Sequence, residues 1–239
     1  MIAPQQASME NKLLAMLPAA DYGVVAPHLE HCDLPKGTRL ADVGEPVAHI
    51  YFLSSGVGSV IVVTRENHRA EAGLFGFEGY VPSHAAAGSS VSPHEVTVQV
   101  SGHGFRIEFD AFLSLMETNK SFRTVVLRSV AAFGVQLSFT GASNSLHEVP
   151  ERLARWLLMC HDRATGDEIP LTHDFMSIML AVRRPSVTTA LHVLEGSRFI
   201  KAERGLVIMR DRAALEEFAH DAYGQAEEEY GRLMTRLFE

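Results

Sequence analysis

The hydrophobic period of this chain changes once, near Asp110, and that switch limits the fold more than any other feature. Between Gly37 and Phe109, short apolar runs are cut by glycine. HIYFLSSGVGSVIVVT holds two strand-like runs around Ser54-Ser55-Gly56, and EVTVQV alternates with period two. Beyond Asp110, apolar residues recur at spacings of three and four, as in Phe122, Val126, Val130, Phe133 and Leu137. The pattern predicts an α+β protein: a β-roll, then a long helix from about Asn119 to Gly141, then a helical region. At 239 residues the chain is long for one compact core, and two domains are expected. The apolar stripe of the long helix either covers its own β domain or meets the same helix in a second chain.

GASNS, Gly141 to Ser145, is small and polar and predicts a break with a hinge. Beyond it, ERLARWLLMCHDRA places Leu153, Trp156, Leu157 and Cys160 on one face, with Arg152, Arg155 and Arg163 away from it. Cys160 reads as a small core residue. Thr172 can cap a helix from His173 to Leu180, with Asp174 near its positive end. Ala181, Val182 and Arg183 make a tight turn, and a second helix runs from Arg184 to about Glu195. It buries Val187, Leu191 and Leu194 and exposes Arg184, Pro185, Thr188, Thr189 and His192. Phe199 to Lys201 and Leu206 to Met209 form a hairpin around Arg204-Gly205, where glycine supplies a positive φ. Helix, tight turn, helix and hairpin make a winged helix-turn-helix. The expected domains are thus residues 1–118, a β-roll; 119–143, helix and hinge; 144–212, the winged region; and 213–239, an acidic amphipathic C-terminal helix.

The two arginines before Pro185 break local rules. Pro185 is tolerated because the first turn of a helix has amide donors without intrahelical partners. Arg183, however, holds a cap position where Ser, Thr, Asp or Asn is worth about 0.5–2 kcal/mol, and both cations face the positive end of the macrodipole. Local preference is broken with no folding gain, as at functional sites. The charge distribution agrees. The chain carries net charge −8, yet from Arg183 to Arg212 seven basic residues face three acidic ones, whereas beyond Ala213 two face seven. A basic island in an acidic protein suits a phosphate backbone and a guanine edge, which makes double-stranded DNA the expected partner.

Several classes are disfavoured. No apolar run is read as reaching the roughly 20 residues that cross a bilayer, and the start lacks a basic and apolar leader, so a cytoplasmic protein with no membrane partner is expected. Cys32 and Cys160 are too few for a disulfide framework or a cluster needing four thiolates. His28, His31 and Cys32 lack a second ligand cluster, so no metal is expected. A cupin-like enzyme would need an HxH pair, which is missing. No catalytic residues and no cofactor are implied.

The order of these parts, with RLARWLL, LTHDFMSIMLAVRRPSVTTAL and the RGLVIM wing, is similar to the Crp/Fnr family of bacterial transcription regulators. The likeness spans nearly the whole chain, through GEPVAHIYFLSSGVGSVIVV and more loosely after Ala70. It implies a homodimer joined through the long helix, with Phe122, Val126, Val130, Phe133 and Leu137 at the seam. It also implies an inverted-repeat operator and contact with RNA polymerase. Arg184 matches the family's guanine-reading arginine. Arg183, Ser186, Thr188, Thr189 and His192 surround it, Thr172 opens the preceding helix, and Lys201 and Arg204 on the wing are placed to hold phosphates. Pro185 stands where many members have an acidic residue and Thr189 where many have arginine, so the readout differs. Gly76, Glu78 and Gly79 resemble the start of the cyclic-nucleotide cassette, but Ala70 to Phe105 contains no arginine or lysine, so cyclic AMP is not the expected effector. A contrasting reading is a small-molecule or protein interaction module with a degenerate helix-turn-helix; salt-dependent DNA affinity separates the two.

Overall fold

A computed structural model describes residues 3–235, 237 and 238. Two short helices, α1 (Lys12–Ala15) and α2 (Ala19–Val25), open the chain. Asn11 caps α1 by accepting from the amides of Leu13 (3.1 Å) and Leu14 (3.3 Å). Its amide donates to the carbonyls of Leu53 (2.8 Å) and Gly79 (2.9 Å). This buried side chain is thus satisfied at both ends, and it ties the N-terminal segment to the roll.

Seven strands form the roll: β1 (Glu30–Leu34), β2 (Arg39–Ala41), β3 (His49–Leu53), β4 (Val57–Val63), β5 (Arg69–Phe75), β6 (Glu95–Val100) and β7 (Gly102–Glu108). They pair antiparallel in two sheets, β1-β7-β3 and β2-β6-β4-β5. The β3 to β4 turn needs glycine: Gly56 has φ +86°, and a Cβ there would stand 2.6 Å from the Val100 carbonyl oxygen. The first five residues of β4 are buried without alternation. The cause is a second layer, because Val57 and Leu74 on the outer sheet belong to the same core as Leu153, Trp156 and Leu157 of the C-terminal region.

Helix α3 (Phe109–Thr118) leads to α4 (Lys120–Leu146), whose first turn is capped by Asn119 accepting from the Phe122 amide at 2.8 Å. Helix α4 runs straight through GASNS, so the predicted hinge at 141–145 is corrected to His147-Glu148. There the carboxylates of Glu148 and Glu151 form a capping box, with Pro150 in the first turn of α5 (Val149–His161). Small residues weaken a helix without ending it when the flanking turns are packed. By length and composition α4 could span a membrane, contrary to the expectation that no such run exists. It buries Ser129, Gln136 and Ser143 within the chain, and the Gln136 side chain accepts from the Leu74 amide at 2.8 Å, so polar contacts fix one face of this helix to the roll.

The stripe expected at a dimer seam faces the chain's own core. Phe122 and Val126 are buried among Phe52, Tyr80 and Phe112. Val130 and Phe133 pack half-buried on the roll, and Leu137 abuts Gly73. Periodicity reports that residues are covered but not by what. The face the chain leaves open is Leu127, Ala131, Gly134, Ser138, Gly141 and Ser145, about 100° away around the axis at 100° per residue.

Beyond α5 come β8 (Glu168–Ile169), α6 (His173–Leu180), α7 (Arg184–Gly196), β9 (Ile200–Glu203) and β10 (Leu206–Met209), with sheet order β8-β10-β9. The single C-terminal helix expected over 213–239 is two, α8 (Arg212–Ala219) and α9 (Gln225–Met234), separated by His220 at φ 48°; residues 236 and 239 lie outside the described residues. Helix α9 packs along α4, with the Arg128 guanidinium donating to the Leu233 carbonyl at 3.3 Å.

The shared core holds a carboxyl. Glu71, 8% exposed, is bonded by the Ser59 hydroxyl and by the Trp156 indole N–H at 2.9 Å. Burial pushes its pKa from 4.5 up to about 8. The folded chain therefore keeps a proton that the unfolded chain has released, so this contribution to stability is whole below pH 4.5 and is lost as pH climbs through about 8. Glu71→Gln, which stays neutral, is expected to flatten the decline of melting temperature between about pH 5 and 8. Thermal melts at several pH values check this, and an unchanged slope would assign the pH dependence to other groups.

Candidate nucleic-acid interface

The geometry of the helix-turn-helix follows from local chemistry. Thr172 caps α6 by accepting from the Phe175 amide at 3.3 Å. The helix ends at Ala181, which is left-handed at φ 51°, ψ 43°. An L-residue there costs about 1–2 kcal/mol. Ala181→Gly relieves that strain but loosens the unfolded chain by about 0.4–1 kcal/mol. A net gain of about 0.5–1 kcal/mol is therefore expected in urea denaturation; a loss would mean that the alanine methyl makes a packing contribution.

Helix α7 begins at Arg184 with Arg183 at its cap and no side chain closing the first turn. Val187, Leu191 and Leu194 are buried, while Arg183, Arg184, Pro185, Thr189 and His192 are exposed and Ser186 and Thr188 half-exposed. The hydroxyls of Thr188 and Thr189 donate to the carbonyls of Arg184 (3.2 Å) and Pro185 (3.0 Å), so both are turned onto their own helix. The wing is the hairpin β9–β10, turned at Gly205 with φ +78°. It is fixed to α7 by the Glu195 carboxylate accepting from the Ala202 amide at 3.0 Å.

Between α6, α7 and the wing lies one concave surface. Thr172, Arg184, Thr188, His192 and Arg204 line it, whereas Lys201 stands outside, paired with Glu203 at 2.7 Å. Sequence reading missed one partner. Asp174 holds the Arg184 guanidinium in a two-point ion pair, at 2.9 Å to Nε and 3.1 Å to Nη2. The two residues are 63% and 69% exposed, so the pair is weak and exchangeable. It holds the Arg184 guanidinium on the concave surface, which both residues line. The signal lies in the sequence: Asp174 at the start of α6 stands beside Arg184 because the turn at Ala181 brings the chain back.

Glu78 and Gly79 line a separate cavity between the roll, α4 and α9, whereas Gly76 lies behind it against Arg163, 3.0 Å from where its Cβ would stand. The cation absent from Ala70 to Phe105 arrives from the far end of α5. Arg163 is held by Glu78 at 2.7 Å, and Tyr230 of α9 donates to the Glu78 carbonyl at 3.1 Å. Spacing places Arg155 and Arg163 away from the apolar face of α5. Arg155 is nevertheless 6% exposed and donates to the Thr140 hydroxyl at 3.1 Å, and the Arg163 side chain is 9% exposed. A second layer covers that side. Burial lowers the pKa of His84 and of His94, which makes both poor partners for an anion.

Residues 151–218 match the model of the Crp-like helix-turn-helix domain. No curated protein matches the chain by sequence. Among solved structures it is similar to the c-di-GMP responsive global regulator CLP of Xanthomonas campestris, with 15% identity over 81% of this chain and 99% of that one and a TM-score of 0.64. It is likewise similar to two CRP-family transcriptional regulators of Thermus thermophilus. The first shares 19% identity over 79% of this chain and 96% of its own, TM-score 0.66. The second shares 13% over 80% and 98%, TM-score 0.64.

Proposed function

We propose that this chain, which has the fold of the Crp/Fnr transcription regulators with a Crp-like helix-turn-helix domain at its C-terminal end, regulates transcription by reading an inverted-repeat operator as a homodimer. The observation that carries this reading is the concave face of α6, α7 and the wing, which is lined by Arg184 and Arg204 from the basic island of an acidic protein. Arg184 reads a guanine edge, with Pro185 and Thr189 adding apolar and weakly discriminating contacts. The backbone is held by Arg183, Ser186, Lys201 and Arg204. In a dimer the two recognition helices enter successive major grooves about 34 Å apart, which sets the half-site spacing. The open face of α4 supports the dimer, since its small side chains let a second copy approach closely. The regulator acts in the cytoplasm and engages RNA polymerase. Its effector is not cyclic AMP, because Arg163 is already held by Glu78 and cannot serve a phosphate.

Two substitutions test the readout and are expected to differ in kind. Arg184→Ala should cost about 1–3 kcal/mol on an operator selected from genomic fragments and relax preference at one base pair per half-site. Lys201→Ala should weaken all sequences alike and reduce the salt slope by about one. Fluorescence anisotropy over a salt series measures both. Wild-type binding with no preference for the selected operator over random duplex would replace this reading by that of an interaction module.

A further inference from the structure

The cavity beside Glu78 points to the chemical class of the effector, an inference that rests on the regulator reading above. Its volume is about 330 Å³, in the range of clefts that take small molecules. Phe75, Phe77 and Tyr80 of the roll, Ala132 and Phe133 of α4 and Tyr230 of α9 make its walls largely apolar and aromatic. Its polar end is unbalanced. Arg163 is committed through Nε to the Glu78 carboxylate and through Nη1 to the Met159 carbonyl, each at 2.7 Å, and its Nη2 pairs with the same carboxylate oxygen, Oε1. The other oxygen, Oε2, is buried and has no hydrogen-bond partner among the described residues. The remaining acids on the rim are engaged. Asp162 accepts from Arg212 at 2.7 Å and from the Tyr223 hydroxyl at 2.8 Å, and Glu227 accepts from the Gly224 amide at 3.1 Å. Lys12 lies over the Phe77 ring, 4.6 Å from its centroid.

A buried acceptor without a donor is costly, and the cost is recovered when a ligand supplies one. An anion would meet Glu78 with the guanidinium already taken. We propose that this cavity binds a small, planar, neutral or cationic molecule, which stacks among the aromatic walls and draws Oε2 of Glu78 from its closed position beside Gly76 to accept an N–H or O–H. Such a molecule touches the roll, α4 and α9 at once. It also lies against Arg163, which belongs to the DNA-binding part, so its occupancy bears on how the recognition helix is presented.

Titration of the full-length protein with three indoles tests the charge rule, because the ring is constant. Tryptamine is cationic, indole is a neutral donor and indole-3-acetate is anionic. Calorimetry and ligand-observed NMR are expected to show saturable binding of tryptamine and indole below about 1 mM, with indole-3-acetate at least about tenfold weaker. Glu78→Gln should weaken tryptamine by about tenfold or more through loss of the charged acceptor. Ser129→Leu, which adds bulk to the α4 wall of the cavity and leaves the Glu78 carboxylate in place, should abolish binding of both tryptamine and indole. Circular dichroism shows whether each variant folds; should Glu78→Gln fail to fold, Ser129→Leu decides. The proposal is overturned by failure of tryptamine and indole to bind, by indole-3-acetate binding as tightly as tryptamine, or by binding that survives the substitutions. Operator binding measured on the same samples separates the two readings. Intact DNA binding without tryptamine or indole binding removes only the effector class, whereas their binding without DNA binding removes the regulator.

Discussion

Gly134→Glu is expected to convert the protein to a monomer and to lower operator affinity by about 10²–10⁴-fold, the range gained when a second binding event becomes intramolecular. Gly134 lies at the middle of the face of α4 that the chain leaves uncovered, and nothing stands within 4 Å of a Cβ built there. The glutamate is therefore accommodated in the single chain. Replacing a helical glycine should even strengthen α4, by about 0.5–1 kcal/mol. Against a second copy of the same helix, however, two carboxylates would be buried close together without a cation. Light scattering at micromolar concentration should report a monomer whose melting temperature is unchanged or raised. A variant that remains dimeric would move the seam to another surface, and a monomer with full operator affinity would remove the dimer from the mechanism. Val130→Glu, on the flank predicted from periodicity, should instead lower stability, because that side chain packs on its own roll.

Trp156→Ala carries the largest expected loss of stability, about 3–5 kcal/mol. The indole is 4% exposed, lies 5.5 Å from the Phe175 ring between centroids, and donates to Glu71. Its removal opens a cavity and also takes a hydrogen bond from a buried carboxyl. Trp156→Phe separates the two effects, since it keeps most of the volume and loses only the N–H. Urea denaturation should rank wild type above Trp156→Phe and Trp156→Phe well above Trp156→Ala. Equal stability of the two variants would mean that the hydrogen bond, rather than packing, dominates.

What could be read from the sequence divides by distance along the chain. The winged helix-turn-helix is built from local rules, namely Thr172 as cap, Ala181 as the turn, Pro185 in the first turn of α7 and Gly205 in the wing, and its elements were legible to within a residue or two. The exposure of Arg184, Pro185, Thr189 and His192 on α7 was legible for the same reason, whereas Asp174 beside Arg184 requires the turn to be folded first. The long helix was legible as an amphipathic element, but its covered and open faces were not, because apolar spacing is the same whether the cover is the chain's own roll or a partner. Arg163 beside Glu78 is 85 residues away in sequence. No local rule can join them. The two-residue strand β8 carries too short a pattern to stand out, and it exists because β10 offers it an edge.

The sheet β2-β6-β4-β5 contributes Val57 and Leu74 to the core that holds Leu153, Trp156 and Leu157, with Glu71 closed between them. A chain built of two parts is usually pictured as interchangeable pieces, in which either part can be exchanged at the joint. Here the outer face of the roll closes one side of the C-terminal region's interior. A chimaera cut at His147-Glu148 would bring a foreign apolar surface against Trp156 and leave Glu71 facing whatever replaced it. Exchange between such proteins must therefore keep both sides of this face together, and divergence on one side is constrained by what the other will accept.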